Sequence, residues 1–241
     1  MKSYKKNYLT QVIFQMHFTP LDQLKINIDQ QFSDLCTGKT NAPSLVNNNI
    51  NLTISEGQVL SEKTNTWNFT NDNFRIVVTH NVLQIIASKY TTHEDFHSLI
   101  TDITSSFIDL YKPHIMRIGV RYINMILFNG EAYDFNDYIN KDLLASTLAY
   151  KNDFALTRSI GNMIMKDEES DLVLGFVYGW INSIFPNKIA KREFLLDYEC
   201  AKENINGASV SVKDIIKQIR NFVNKVFENS ITEGLREEMN K

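Results

Sequence analysis

The chain is poor in cysteine, proline and glycine, with 2, 4 and 9 of them in 241 residues. Cys36 and Cys200 lie far apart and in no metal-ligand spacing, which argues against a zinc ribbon or a disulfide-dense secreted fold. They read as free thiols of a reducing cytoplasm. Linker-like and low-complexity tracts are missing too, so nothing divides the chain into separately tethered domains. No apolar run approaches the roughly 18 residues that a membrane-spanning helix needs. The basic N-terminal stretch has its apolar residues interrupted by Gln11, Gln15 and His17, unlike a signal peptide. Neither sign of charge dominates: 25 basic residues face 28 acidic ones, a net charge of −3. Nucleic acid and anionic membranes therefore exert no global pull. There is no G-x-S-x-G and no cysteine with an evident histidine partner. The GKT at 38–40 lacks the upstream glycine of a phosphate-binding loop. These absences leave a soluble, cytoplasmic globular protein without a catalytic or cofactor signature.

What is present is periodicity. Residues 11–18 alternate imperfectly as a first strand. Thr19-Pro20 then caps a helix whose apolar residues Leu21, Leu24, Ile28, Phe32 and Leu35 recur every three or four positions. A polar loop follows, then short β segments near 50–55, 65–69, 74–79 and 82–90. The last three are joined by links too short for crossovers, so they form an antiparallel meander. A second helix is expected over 92–111, stopped by Pro113, and a long strand over 115–128. The second half repeats the theme: a helix near 135–150, a hairpin across Asp167–Ser170, a strand at 193–201 and a long final helix capped by Ser211. This predicts an α+β fold, an antiparallel sheet with helices packed on one face. We expect one domain over 1–241 made of two loosely duplicated ferredoxin-like halves, about 1–128 and 129–241.

His93-Glu94-Asp95-Phe96-His97 is a literal H-E-x-x-H, the helical spacing that lets two histidines grip one zinc ion while the glutamate activates its water. Its context speaks against that chemistry. The apolar stripe of this helix is Phe96, Leu99, Ile100, Ile103, Phe107 and Leu110. At 100° per residue His93 and His97 fall about 60° and 100° from the stripe centre, on the solvent border. Thr92 is the natural cap, so Glu94 and Asp95 complement the helix dipole. No third ligand follows at zincin spacing. A metal-dependent hydrolase is thus the alternative class; the expectation is no metal, no cofactor and no catalytic residue.

The strand Arg117–Asn124, R-x-G-x-R-Y-x-N, resembles the signature of a sporadically distributed family of uncharacterised bacterial proteins of similar length. Residues 12–18, Trp67–Phe69, 90–100, 193–200 and 226–239 resemble further segments of that family in the same order. In its pattern an aromatic residue is usual where His93 stands. The resemblance implies no established activity. The family's patchy distribution implies mobile genetic cargo such as phage-defence or toxin–antitoxin modules.

Alternation places Arg117, Gly119, Arg121 and Ile123 on one face of that strand, and Ile118, Val120, Tyr122 and Asn124 on the other. Two arginines flanking a glycine form a positive notch able to take a phosphate, a nucleotide or a partner's carboxylate. Arg158 is a third contributor, and Tyr122 and Asn124 support the strand from behind. A structural role is equally concrete: Asp197 and Glu199 can neutralise the same arginines in an internal ion-pair network. Phe176, Tyr178 and Trp180 alternate on another strand, as a stacking platform, a dimer surface or core. Lys213, Lys217, Arg220 and Lys225 line the last helix, but interspersed acids and the negative net charge disfavour nucleic acid. The sequence thus points to a non-enzymatic recognition protein, dimeric, that binds a protein partner or a small anionic ligand.

Overall fold

A computed structural model describes residues 4–55, 58–90, 92–128, 135–150, 152–154, 156–187, 191–205 and 211–241. The chain is α+β. Nine strands, β1 (Leu9–Phe18), β2 (Leu45–Ser55), β3 (Gln58–Thr70), β4 (Phe74–Val78), β5 (Val82–Ala87), β6 (Ile115–Phe128), β7 (Ser159–Asp167), β8 (Leu172–Trp180) and β9 (Arg192–Glu203), form an antiparallel sheet in the order β2-β3-β4-β5-β1-β6-β9-β8-β7. Among the described residues six helices accompany it: α1 (Gln23–Ile26), α2 (Gln30–Thr40), α3 (His93–Tyr111), α4 (Lys141–Tyr150), α5 (Val212–Ser230) and α6 (Glu233–Met239). The chain divides into two compact units, Gln11–Val120 with Ala201–Ile216, and Met1–Thr10 with Arg121–Cys200 and Lys217–Lys241.

In the first of these units, strand register turns the period-2 pattern into rows. Trp67, Val78, Leu83 and Met16 are successive cross-strand partners, as are Phe69, Ile76, Ile85 and Phe14. All eight are buried. Helices cover this face. Trp67 Nε1 donates to the Leu24 carbonyl at 3.2 Å. The Phe107 ring of α3 lies 5.1 Å from Phe18 and 5.4 Å from Phe32 of α2. The opposite face of the same strands carries Gln15, Gln84 and Val77, which are only half-buried.

The single helix expected from Pro20 to about Gly38 is two helices. Asn27 is extended, and the Asp29 side chain accepts from Phe32 N at 3.2 Å, capping a new helix that runs through Gly38 to Thr40. An aspartate that can satisfy an orphan N–H competes with continuation of the helix. The β2–β3 hairpin is longer than the β segments expected, because Leu45–Asn49 pair with Asn68–Thr64 despite their polarity. α3, β6 and the β7–β8 hairpin fall close to where the pattern puts them. Lys112, left-handed at φ 44°, ends α3 before Pro113.

In the second unit the core is aromatic. Phe176 stacks on Tyr198 at 4.6 Å, Trp180 meets Phe194 edge-on at 4.9 Å, and Tyr198 meets Phe227 of α5 at 6.3 Å. Phe176 and Trp180 are therefore core, not platform. Among the described residues the Tyr198 hydroxyl is buried without a well-formed hydrogen bond; the Ser230 hydroxyl, which opposes the effect of that burial, donates to the Val226 carbonyl at 2.8 Å. Burial drives the phenol's pKa far above its ordinary value, with Ser230 opposing weakly. The native state thus holds a proton that the unfolded chain releases from about pH 10. The stabilising difference is complete below that pH and is lost as pH rises above it. Tyr198→Phe should flatten this alkaline decline by up to about 1.4 kcal/mol per pH unit between roughly pH 10 and 12. Removing an unsatisfied hydroxyl should also leave neutral-pH stability equal or higher by about 1 kcal/mol. Urea midpoints at pH 8, 10 and 11 check both. Cys36, pushed up to about 12 by burial, acts in the same sense and remains in both proteins.

Candidate functional site

Each candidate grows from the element that carries it. Arg121, on β6, is held by Asp197 of β9 in a bidentate pair: Nε donates to Oδ1 at 2.8 Å and Nη2 to Oδ2 at 2.6 Å. The fork geometry satisfies both carboxylate oxygens at once. Asp197 is 9% exposed at its side chain and Arg121 42%. The hydrogen bonds it donates to Asp197 raise the guanidinium's pKa above its usual value, with the Asp197 and Glu199 charges adding to them. The other arginine stands in the other unit. Arg117 meets Glu203 at 3.7 Å, donates to Gln15 Oε1 at 3.4 Å, and lays its guanidinium within 3.0 Å of where a Cβ on Gly119 would sit. The glycine thus makes room for an arginine of its own strand. Tyr122 and Asn124 are buried on the reverse face, and Asn124 Nδ2 donates to the Leu196 carbonyl at 3.3 Å. The arginine pattern that resembles an anion notch makes ladder-crossing ion pairs and hydrogen bonds within the sheet.

Arg158 differs. It is exposed, sits 4.3 Å over the Phe185 ring, and Nε donates to the Ile181 carbonyl at 3.3 Å. A cation–π contact of this kind holds the charge at the surface and leaves guanidinium N–H groups for a further partner. The loop bearing Phe185 is fixed in turn by Glu193. Its carboxylate accepts from Ser183 N and Ser183 Oγ, each at 2.9 Å.

At the start of α3 the His93 and His97 rings lie 5.4 Å apart and are half-buried. Thr92 caps the helix, accepting from Asp95 N at 3.1 Å, and its hydroxyl donates to Asp95 Oδ2 at 2.6 Å. Among the described residues no group of three His, Cys, Asp or Glu side chains is placed to hold a metal ion. A cavity of about 220 Å³ opens beside this helix, with Phe74, Tyr90, Phe96 and Leu99 as its apolar lining and Lys39 and Lys89 among its polar residues. Lys39 is tied to Asp102 at 2.5 Å, and Asp95 also lines the cavity, so the lysines give it little net positive charge.

The feature that sequence reasoning missed is β7. It is the last strand of the sheet and its outer edge has no strand partner among the described residues. Ile164 is 76% exposed, Ile160 47% and Met163 37%. The cause lies in the register. Ile160 faces Gly179 and Ile164 faces Gly175, so neither isoleucine has a cross-strand side chain to lie against. Asn162, between them, faces Val177. Exposed apolar edge strands of this kind are templates for pairing with another chain, and charges or bulges usually blunt them. Here the only blunting charge within the strand before its last residue is Lys166, which pairs with Asp171 at 3.1 Å. At the opposite edge, β2 presents Asn47, Asn48 and Asn49 instead.

No protein-family model matches the chain, and no curated protein matches it. No described helix is long and apolar enough to cross a membrane.

Proposed function

We propose that this protein acts by non-covalent recognition and not by catalysis, and that its recognition element is the β7 edge. The observation carrying this is an edge strand beside Arg158 with Ile160 and Ile164 exposed on one face and Met163 on the other. A strand laid against β7 gains main-chain hydrogen bonds along nine residues and covers the isoleucines. Burial of such side chains contributes about 25 cal/mol per Å² of apolar surface removed from water. Arg158, braced on Phe185, supplies a charge at one end of the edge and favours a carboxylate on the incoming chain. Arg117 and Arg121 hold the sheet in this reading. The resemblance of Arg117–Asn124 and the accompanying segments supports a bacterial phage-defence or toxin-neutralising setting.

The test is affinity capture from a lysate of the source cells with wild-type protein and with Ile164→Lys. Retained proteins should be lost with the variant and unaffected by a metal chelator. Identical capture by both proteins would remove the β7 edge as the recognition element. Chelator-sensitive capture would turn attention to His93 and His97.

A further inference from the structure

We infer that the strand completing the β7 edge is β7 of a second copy of this chain, paired antiparallel about a two-fold axis through Met163. This rests on the reading of β7 as the recognition element and names its occupant. In an antiparallel pair, directly opposed residues point to the same side of the sheet. A two-fold axis normal to the sheet can therefore pass only through a residue position, where that residue meets its own copy. This restricts the possible registers to those centred on a single residue. Their end charges then choose among them. The strand begins after Arg158, and Glu168 and Glu169 follow its last residue, Asp167. Antiparallel self-pairing thus brings a basic end against an acidic end twice.

Centring on Met163 sets Arg158 against Glu168 of the second copy. Centring on Asn162 sets Arg158 against Lys166, and centring on Ile164 sets Glu168 against Ile160. Only the Met163 register matches opposite charges at both ends. It also serves the side chains that glycine leaves bare. Ile164 meets Asn162 of the second copy and lies diagonal to the other Ile164, within side-chain reach. Ile160 meets the aliphatic stem of Lys166, whose ammonium stays at the surface beside Asp171. On the helix-covered side Met163 meets Met163, and Met165 meets Gly161, over which the Tyr178 ring of the same copy lies. The interface is isologous and closed, so the exposed edge is used up and does not propagate into a fibre.

Native mass spectrometry and sedimentation of the full-length chain test this, together with disulfide trapping. The wild type should be a dimer at micromolar concentration. Ile164→Lys should weaken it by about 100-fold, as for a central interface residue. Because that side chain is exposed, the variant should keep the wild-type circular dichroism spectrum. Met163→Cys places two thiols on the axis, where opposed Cα atoms are about 4.5–5.5 Å apart and can be bridged. It should cross-link rapidly under mild oxidation. Met165→Cys puts its thiols about 13 Å apart, four residues of strand rise, and should not. The native thiols Cys36 and Cys200 are buried and do not interfere. A monomer at 100 µM, or a dimer in which Met163→Cys fails to cross-link, overturns the inference. If the chain is monomeric while capture from lysate still depends on Ile164, only the second copy is wrong and recognition through β7 stands. If neither association nor capture responds to Ile164→Lys, both fail.

Discussion

Arg121→Ala is expected to lower stability by about 2–3 kcal/mol, whereas Arg117→Ala should cost less than about 1 kcal/mol. The asymmetry follows from what each substitution leaves behind. Asp197 is nearly buried, and both its oxygens are taken up by the Arg121 fork. Removing the guanidinium strands a carboxylate that water reaches poorly. Loss of one partner of a fully buried pair costs about 3–5 kcal/mol, and the partial exposure of Arg121 reduces that figure. Arg117 meets a Glu203 side chain that is 64% exposed, at a longer distance, so solvent replaces the interaction cheaply. Urea unfolding of the two single variants, and of Arg121→Ala with Asp197→Ala, measures this. The double variant should be less destabilised than the sum of the singles, since it abandons no charge. An Arg121→Ala protein as stable as wild type would return this arginine to an anion-binding role.

The sequence made some of this legible and hid the rest for physical reasons. Asp197 and Glu199 stand out as candidate counter-charges because alternation puts them on one face of a strand. Which carboxylate takes which arginine depends on neighbouring strands, and Glu203 at the end of β9 gave no signal of its own. α3 was readable because cap, stripe and stop agree: Thr92, the apolar positions from Phe96 to Phe107, and Pro113 after Lys112. The α1–α2 break was not, because the apolar spacing continues through Asn27 while the local cap at Asp29 interrupts the backbone. The β7 edge was hidden most deeply. Ile160, Met163 and Ile164 look like core in any pattern count. All three are exposed by a fact that sequence order does not carry, the terminal place of β7 in the sheet, and the two isoleucines also by the glycines opposite them.

The same contrast between a packed side chain and a conspicuous motif sets the largest expected effect. Phe107→Ala should cost about 3–5 kcal/mol, a large share of the roughly 5–15 kcal/mol that holds an ordinary domain together. Phe107 is fully buried, with Phe18, Phe32 and Tyr111 rings at 5.1, 5.4 and 4.7 Å. It joins α3 to β1 and to α2 at once, so truncation opens a cavity on three elements that cannot all close in. His97→Ala, one turn into the same helix and on its solvent border, should change stability by less than about 0.5 kcal/mol. Thermal melts followed by near-ultraviolet circular dichroism would show both, with zinc measured on the same preparations. A small effect at His97 beside a large one at Phe107 means that α3 is held by its apolar stripe and that H-E-x-x-H only begins the helix. Equal losses, accompanied by zinc that disappears with His97, would make the metal the fastener and restore hydrolase chemistry as the leading explanation.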